Sequence, residues 1–394
     1  MPDASEPSTT GDLQDQQPAA YQSALGVTHT EQATLPGFTT QSGFEFENVE
    51  VCFQTLGTLS PARDNVILVC HGLSGTAHVA GTDPHTGKPG WWDYHVGPGK
   101  AIDTDRYYVI CANALGGCNG TTGPASVNPR TGQPFGPGFP RVTIRDMVRV
   151  QAMLLDHLGL EKVFAVVGAS MGGMQALAWA ADFPERVRVC VPIASCAAHN
   201  PMQIAFNEIG RRAIVTDPDW NGGNYSEARF PAHGLAVARM VGHVTYLSEP
   251  AMTRKFGRRR QPAPGDWQQF SVESYLHHQG HSFVKRFDPN AYLVLTRAID
   301  EFDLFEDAAP DEVLRRVRAR FLVISFSSDW LYPPAQSREL VRRLKRAGIA
   351  ATYLNLESEY GHDSFLIDNP PFASVLRHFL DGEMAAAPAF AEDI

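Results

Sequence analysis

The sequence has few of the features that mark membrane-spanning, disulfide-stabilised or nucleic-acid-binding proteins. Its 394 residues contain no run of about 18 apolar residues, the length that crosses a bilayer. The six cysteines form no Cys-x-x-Cys pair, and several lie in apolar runs, so we expect buried thiols in a reducing compartment. The formal net charge of -10 disfavours nucleic acid and acidic membrane surfaces as partners. An anionic substrate must therefore be held by locally placed basic groups.

The first 30 residues also lack the basic and apolar segments of a signal peptide. They are rich in Ser, Thr, Gln, Asp and Pro, which predicts a flexible tail over residues 1–30 and a cytoplasmic protein. The remaining chain is ordinary in composition, since the whole sequence is 43% hydrophobic and 19% charged. These values predict a soluble globular protein with a substantial core.

The central motif is an apolar, β-branched run over residues 163–167 that ends in Gly168-Ala-Ser170-Met-Gly172 and continues into helix-forming residues. Gly-x-Ser-x-Gly between a strand and a helix is the pattern of a nucleophile elbow, in which a sharp turn exposes the serine hydroxyl. Glycine is needed on both sides because a Cβ would clash where the helix presses against the strand. The pattern favours Ser170 as a nucleophile over a plain turn serine.

Short buried-type strands alternate with helical patterns over most of the chain. This alternation predicts an α/β fold with a mostly parallel central sheet and helices on both faces, preceded by antiparallel strands between about residues 43 and 58. The pattern breaks over residues 197–314, which indicate helices joined by polar loops with no convincing buried strand. We therefore predict a core in two parts, 31–196 and 315–382, with a helical lid at 197–314 and a C-terminal tail at 383–394. The buried strands are predicted at residues 66–70, 107–111, 163–167, 187–193, 321–326 and 351–356.

Two further residues complete the pattern of a catalytic triad. A nucleophilic serine needs a base and an orienting carboxylate, which in α/β hydrolases follow in the order Ser, Asp or Glu, His. Asp329 follows the strand at 321–326, and His362 follows the strand at 351–356. Taken alone, Asp329 is as consistent with a loop or helix cap, and a histidine is more often structural than catalytic. The three residues in the correct order at three strand ends favour the triad.

Other candidate sites are weaker. The strand at 66–70 runs into His71-Gly-Leu73, where this fold class places a backbone oxyanion donor, and Leu73 is the predicted position. The glycine-rich loop at 116–123 lacks the lysine and the helix of a P-loop, which disfavours a nucleotide site. His277 and His281 have the spacing of a helical metal pair but no matching glutamate and no obvious third ligand, so no metal is predicted.

In addition to these motifs, the chain closely resembles the homoserine O-acyltransferase family, the α/β-hydrolase-fold type that works in methionine biosynthesis. Characteristic stretches include Gly168-Ala-Ser-Met-Gly-Gly-Met-Gln175 and Gly361-His-Asp-Ser-Phe365, and the likeness runs in the family's order from about residue 35 to residue 382. The matching stretches are residues 71–78, 89–93, 97–104, 115–124, 168–175, 204–208, 238–240, 242–248, 286–288 and 361–365.

The resemblance implies a ping-pong acyl transfer without a permanently bound cofactor. An acyl-CoA, acetyl-CoA or succinyl-CoA, would acylate Ser170, and the hydroxyl of L-homoserine would then accept the group, with His362 as base and acid and Asp329 orienting it. The family likeness further implies a homodimer through the lid. Its oxyanion donors match the backbone N–H groups of Leu73 and Met171, and its acceptor-binding residues match Arg239, Tyr246 and Asp363.

Several alternatives stay open at this stage. Gly72 and Ser74 stand where Ala and Thr are usual, next to the acyl pocket, so the donor is uncertain, although residues 76–78 and Met171 favour acetyl. Serine is an alternative acceptor, and a serine esterase or hydrolase would use the same triad. A non-catalytic interaction protein is disfavoured because the triad and the elbow are complete. The basic run at 254–260 is better explained as a solvated loop than as a CoA phosphate site.

Overall fold

An eight-stranded sheet organises the residues that the structure, a computed structural model, describes: 21–262, 268–306 and 308–386. In this part of the chain the strands are β1 (Glu31–Thr39), β2 (Glu45–Leu56), β3 (Val66–Cys70), β4 (Tyr108–Ala112), β5 (Val127–Asn128), β6 (Gln133–Pro134), β7 (Val163–Ala169), β8 (Val187–Ile193), β9 (Arg260–Pro262), β10 (Gln268–Phe270), β11 (Arg320–Phe326) and β12 (Ala351–Leu356). The α-helices are α1 (Ile144–His157), α2 (Met171–Asp182), α3 (Pro201–Val215), α4 (Ala232–Tyr246), α5 (Glu249–Phe256), α6 (Ser271–Val284), α7 (Pro289–Glu301), α8 (Pro310–Arg316), α9 (Pro334–Arg346) and α10 (Pro370–Ala385).

The sheet is mostly parallel, as predicted. Its strand order is β1-β2-β4-β3-β7-β8-β11-β12, and all neighbouring pairs from β4 to β12 are parallel. Only the β1–β2 and β2–β4 pairs are antiparallel. The two short alternating segments predicted between residues 43 and 58 are one strand, β2, and its partner β1 lies earlier in the chain. Because parallel strands need crossover connections, helices cover both faces of the sheet and the strands are buried.

Two apolar cores lie on the two faces of this sheet. Along β3, Val66 and Leu68 belong to one core and Ile67 and Val69 to the other, as the two-residue period of a strand requires. Helices α1, α2 and α9 contribute to the first core, and α10 contributes Phe372 and its neighbours to the second. Within the described ranges, no helix is long and apolar enough to cross a membrane.

The segment between β8 and β11 is largely helical and contains α3 to α8. Helix α4 contacts the short 3-10 helix Gly361–Phe365, which follows β12, so this segment lies over the carboxyl ends of the strands. The segment also contains the short antiparallel hairpin of β9 and β10, which the sequence did not predict. These strands are only three residues long and largely exposed, and such strands carry no buried apolar pattern.

The flexible tail predicted for residues 1–30 was too long. The Tyr21 hydroxyl donates a 2.5 Å hydrogen bond to the carboxylate of Asp93, and the Ser23 hydroxyl donates another at 2.6 Å. The chain before β1 is therefore attached to the core through polar contacts that an apolar pattern cannot predict. Residues 1–20 lie outside the described part of the chain, as does most of the predicted C-terminal tail.

The attachment at Asp93 generates a stability prediction. Burial would raise the pKa of Asp93, but hydrogen bonds from Ser23, Tyr21, Lys100 and the Gly81 N–H lower it below its ordinary 3.8. A carboxylate with a lowered pKa stabilises the folded state above its ordinary pKa, and this contribution is lost as pH falls through the folded-state pKa. We expect Asp93→Asn to reduce the free energy of unfolding by about 2 kcal/mol at neutral pH.

The difference between Asp93→Asn and the wild type should shrink as pH falls below 3.8, because the wild-type carboxylate then gains a proton. Urea unfolding of both proteins at a series of pH values measures it. A difference that stays constant into this acidic range would contradict the assignment of the effect to the charged carboxylate.

Candidate active site

Ser170 lies at a strained turn between β7 and α2. Its φ is 58° and its ψ is -123°, a left-handed conformation that few residues other than glycine adopt. The flanking glycines permit this turn, since a Cβ on Gly168 would lie 2.1 Å from the carbonyl oxygen of Gly172. A Cβ on Gly172 would lie 2.0 Å from the carbonyl oxygen of Cys70 on β3. The structure therefore contains the sharp turn from strand to helix that the sequence predicted at Ser170.

His362 and Asp329 form a buried pair near this turn. The His362 Nδ1 lies 2.8 Å from the Asp329 Oδ2, and both side chains are almost completely buried. A carboxylate only accepts hydrogen bonds, so Nδ1 carries the proton and Nε2 is left for a second partner. The other oxygen of Asp329 accepts the Tyr332 backbone N–H at 2.8 Å. These contacts fix the imidazole in the tautomer that a general base requires.

Ser170 and His362 line one small cavity between the sheet and the helical segment. Residues contributed by five separate parts of the sequence surround it, and they include most of the predicted site. Trp91, His243 and Phe365 also line it; they lie in stretches that carry the family resemblance, but no role was predicted for them from the sequence. The cavity is lined by Gly72, Leu73, Ser74, Gly75, Trp91, Ser170, Arg239, His243, Tyr246, His362, Asp363, Phe365 and Leu366.

The loop after β3 brings Leu73 to this cavity and is held by His71. The His71 Nε2 accepts the backbone N–H of Ala114 at 3.0 Å, so Nδ1 carries the proton and donates to the Gly72 carbonyl at 2.7 Å. Burial lowers the pKa of His71, which keeps this neutral form. The sequence predicted this loop, and His71 within its motif, but it did not predict that His71 holds the loop in place.

Met171 is the first residue of α2, where backbone N–H groups have no acceptor within the helix. The N–H groups of Gly173 and Met174 bond to the Ser170 carbonyl. The N–H of Met171 therefore lies beside the serine at the positive end of the helix dipole. Together with the Leu73 loop, this position can stabilise a negative oxygen next to Ser170.

Arg239 and Asp363 give the cavity a cationic and an anionic group. The Arg239 side chain is buried, donates to the Ser74 hydroxyl at 3.3 Å, and lies over the ring of Phe283 at 4.8 Å. Asp363 is also buried and follows His362 directly in the chain. A buried guanidinium and a buried carboxylate around one cavity suit a ligand that carries both charges. Tyr246 lies beside them, with its ring centroid 5.9 Å from that of His362.

The other sequence candidates lie elsewhere. His277 and His281 are exposed on α6, and among the described residues no group of three or more His, Cys, Asp or Glu could hold a metal ion. In the basic run, Arg254 pairs with Glu359, and Arg258 stacks over Phe270.

The glycine-rich loop at 116–123 packs on itself and on β2. A Cβ on Gly123 would lie 1.9 Å from the Gly117 carbonyl oxygen. The hydroxyls of Thr121 and Thr122 accept hydrogen bonds from backbone N–H groups of β2. The glycines therefore serve close packing in this loop.

Comparisons with known proteins agree with this geometry. A family model described as the alpha/beta hydrolase fold matches residues 65–368. A homoserine O-acetyltransferase of Rhodospirillum rubrum is 54% identical over 350 residues, which cover 86% of this chain and 89% of that protein. One from Gluconobacter oxydans is 52% identical, over 91% of this chain and 95% of that protein.

Two solved structures extend the comparison. The homoserine O-acetyltransferase of Bacillus anthracis superposes with a TM-score of 0.84 at 30% identity, over 90% of this chain and 98% of that one. The esterase E22 superposes with a TM-score of 0.83 at 34% identity, over 90% of this chain and 100% of that one. The same backbone is therefore found in an acyltransferase and in an esterase.

The close contact at the elbow predicts the effect of a single methyl group. We expect Gly172→Ala to destabilise the protein by about 3 kcal/mol, because the added Cβ meets backbone of β3 that cannot move aside. Gly382→Ala, in α10, is the matched control, since a Cβ there meets nothing within 4 Å. It should stabilise the helix by about 1 kcal/mol. Urea unfolding measures both, and equal effects of the two substitutions would refute the steric argument.

Proposed function

The chain belongs to the homoserine O-acetyltransferase family of the α/β-hydrolase fold, and from this premise we propose that it transfers the acetyl group of acetyl-CoA to the hydroxyl of L-homoserine in methionine biosynthesis. The observation that carries the proposal is the elbow serine and the buried His362–Asp329 pair at a cavity that also holds Arg239 and Asp363. The names of the relatives favour acetyl over succinyl as the transferred group.

In the first half-reaction, His362 Nε2 takes the proton of the Ser170 hydroxyl as its oxygen attacks the thioester carbonyl. The tetrahedral oxyanion accepts hydrogen bonds from the N–H groups of Leu73 and Met171. The carbon–sulfur bond then breaks, the coenzyme A sulfur receives the proton from His362, and acetyl-Ser170 remains. Asp329 holds the imidazole in its tautomer and stabilises the imidazolium.

In the second half-reaction, the same groups act in reverse on a different nucleophile. His362 takes the proton of the homoserine hydroxyl, whose oxygen attacks the acetyl-serine carbonyl, and the proton returns to the Ser170 oxygen as that ester bond breaks. Arg239 would hold the α-carboxylate, and Asp363 would pair with the α-ammonium. Tyr246 would close the cavity beside them. No resident cofactor or metal takes part in these steps, and acetyl-CoA is a co-substrate.

Ester hydrolysis is the second candidate function, because esterase E22 has the same fold at 34% identity. The triad serves both reactions, and the outcome depends on whether water or an amino-acid hydroxyl reaches the acyl-serine. The buried Arg239 and Asp363 favour transfer, since neither charge is needed to admit water. Serine is a weaker acceptor candidate, because one missing methylene changes the rate by about 10- to 200-fold.

The helical segment is also the proposed dimer contact. Met202 and Ile209 on α3, and Val237 and Val244 on α4, are exposed apolar side chains. Each pair is spaced by seven residues and so lies on one helix face, and α3 packs against α4. An apolar surface shared by two packed helices suits a symmetric contact with a second copy of the chain.

We propose the reducing cytoplasm as the compartment of the enzyme, which the proposed co-substrate and the six cysteines, all free thiols, support. Acyl-CoA donors are made and used inside the cell, and the acceptor would come from the same compartment. This proposal keeps the compartment that the composition of the sequence predicted.

If the protein is an acyltransferase, the acyl group should remain on the enzyme until an acceptor is added. Protein mixed with acetyl-CoA alone should release about one equivalent of coenzyme A per active site, and continuous release should begin only when L-homoserine is added. Mass spectrometry should find one acetyl group on Ser170 before homoserine is added and O-acetylhomoserine afterwards. Ser170→Ala should abolish both signals without unfolding the chain. Continuous release at the same rate without any amino acid would assign the protein to the hydrolases.

The second prediction separates acceptor binding from acylation. Arg239→Lys keeps the positive charge but loses the two parallel hydrogen bonds to a carboxylate, so the KM for homoserine should rise by about 10- to 100-fold. Asp363→Asn should act in the same direction. The rate of the first coenzyme A release should change much less, because that step precedes homoserine binding. A selective loss of that first release would contradict the acceptor role.

A further inference from the structure

A second histidine–carboxylate pair lies in the helical segment, near the proposed triad. The His199 Nδ1 lies 2.9 Å from the Asp300 Oδ1, and both side chains are almost completely buried. His199 lies two residues before the start of α3, and Asp300 belongs to the last turn of α7. Two side chains of α3 hold the carboxylate as well, Asn207 at 2.7 Å and Arg211 at 2.6 Å. The pair therefore joins two helices of the segment through one carboxylate.

This pair points to Tyr332 through hydrogen bonds of defined direction. A carboxylate only accepts hydrogen bonds, so His199 Nδ1 donates to Asp300 and the Nε2 of the neutral ring is an acceptor. The Tyr332 hydroxyl lies 2.7 Å from that Nε2 and donates to it. Burial raises the pKa of Tyr332 well above its usual value, so the phenol keeps its proton. The lone pairs of the phenol oxygen remain available for another donor.

Tyr332 contacts all three proposed triad residues. Its backbone N–H donates to Asp329 at 2.8 Å. Its ring stacks on the imidazole of His362, with centroids 4.9 Å apart and planes 20° apart. Its phenol interacts with the side chain of Ser170, and both residues line a second cavity, adjacent to the first, that His199 and Asn207 also line. One residue, through its backbone N–H, its ring and its phenol, is therefore connected to all three.

We propose that Tyr332 is a positioning residue for acyl transfer, whose hydroxyl is oriented by the His199–Asp300 pair and holds the Ser170 hydroxyl in place while its ring supports His362. The proposal rests on the proposed function, because it assigns Tyr332 a role in the acylation of Ser170. The proposal also connects the helical segment to the acylation of Ser170. The packing of α3 against α7 sets the position of the His199–Asp300 pair, and through Tyr332 that pair sets the position of the serine oxygen.

The position of the Ser170 hydroxyl matters because it has two possible partners, the phenol oxygen of Tyr332 and the Nε2 of His362. The phenol oxygen can accept a hydrogen bond from the serine hydroxyl in the resting enzyme but, being protonated itself, is too weak a base to take its proton. His362 Nε2 is the stronger base and takes that proton during attack. A phenol that fixes the rotamer of Ser170 reduces the rotational freedom lost on reaching the reactive geometry. Its removal should slow acylation and leave homoserine binding almost unchanged.

The test is a double-mutant cycle on the full-length protein, read by the rate of the first coenzyme A release from acetyl-CoA without homoserine. Tyr332→Phe keeps the ring and removes the hydroxyl, and should slow this step by about tenfold. His199→Asn keeps a donor toward Asp300 and loses the contact to Tyr332, and should slow it by a smaller factor. The double variant should be no slower than Tyr332→Phe, because His199 acts through the phenol.

Two controls separate positioning from folding. Tyr225→Phe removes another hydroxyl in the helical segment, one that donates to Asp288 at 2.5 Å, and should leave the acylation rate unchanged. Urea midpoints should stay close to wild type for Tyr332→Phe. If His199→Asn lowers the midpoint, His199→Gln replaces it in the cycle. The KM for homoserine should stay within about twofold in each variant, which a general loosening of the site would not allow.

The outcomes are distinct from those that test the function itself. Wild-type protein that forms no acetyl-Ser170 would refute the proposed function. Wild-type protein that acylates, together with Tyr332→Phe that acylates at the same rate or faster, would refute the positioning role alone. Independent, additive effects of Tyr332→Phe and His199→Asn would refute the link through the phenol.

Discussion

The site depends first on how closely β7, α2 and β3 approach one another at the elbow. The backbone of Gly172 lies so near Cys70 that a single methyl group has no space, and Gly168 lies equally close to Gly172. Only this approach turns the chain sharply enough to give Ser170 its left-handed conformation, which costs of order 1–3 kcal/mol. The buried strands on either side supply the stability that offsets this strain. The strain at Ser170 is thus a property of the sheet, and a change far from the cavity can alter it through the position of β3.

The parallel topology then determines where the other groups can lie. His71, Ser170, Asp329 and His362 all follow the carboxyl ends of sheet strands, so one edge of the sheet collects side chains that are far apart in sequence. The helical segment adds what the strands cannot, a buried cation at Arg239 and the ring of Tyr246. This division explains how one fold can serve both acyltransferases and esterases. In the proposed mechanism the strand ends supply the groups for acyl chemistry, and the covering segment supplies the groups that select the acceptor of the acyl group.

Much of this arrangement could be predicted from the sequence because it depends on local patterns. The apolar runs of β3, β7 and β8, the glycines around Ser170 and the order of Asp329 and His362 each have a short-range signal. The contacts of Asp93 with Tyr21 and Ser23 have none, because they join residues about 70 positions apart through polar atoms. His199, Asp300 and Tyr332 could not be grouped either, since they lie in three separate elements and each has an ordinary sequence context. The Arg239 and Asp363 positions were recognised only through the family resemblance.

The two histidine–carboxylate pairs near Ser170 show why a triad cannot be identified from residue types and short distances alone. Both pairs are buried, and in both a carboxylate oxygen lies within 3 Å of Nδ1. The difference lies at Nε2. His199 Nε2 accepts a hydrogen bond from the Tyr332 hydroxyl at 2.7 Å, so its lone pair is already occupied, and Arg211 forms an ion pair with the carboxylate of Asp300. The Nε2 of His362 is the nitrogen left for Ser170, in the cavity where the substrate charges would be met. The availability of that one lone pair favours His362 as the base of the proposed mechanism and agrees with the supporting role proposed for His199.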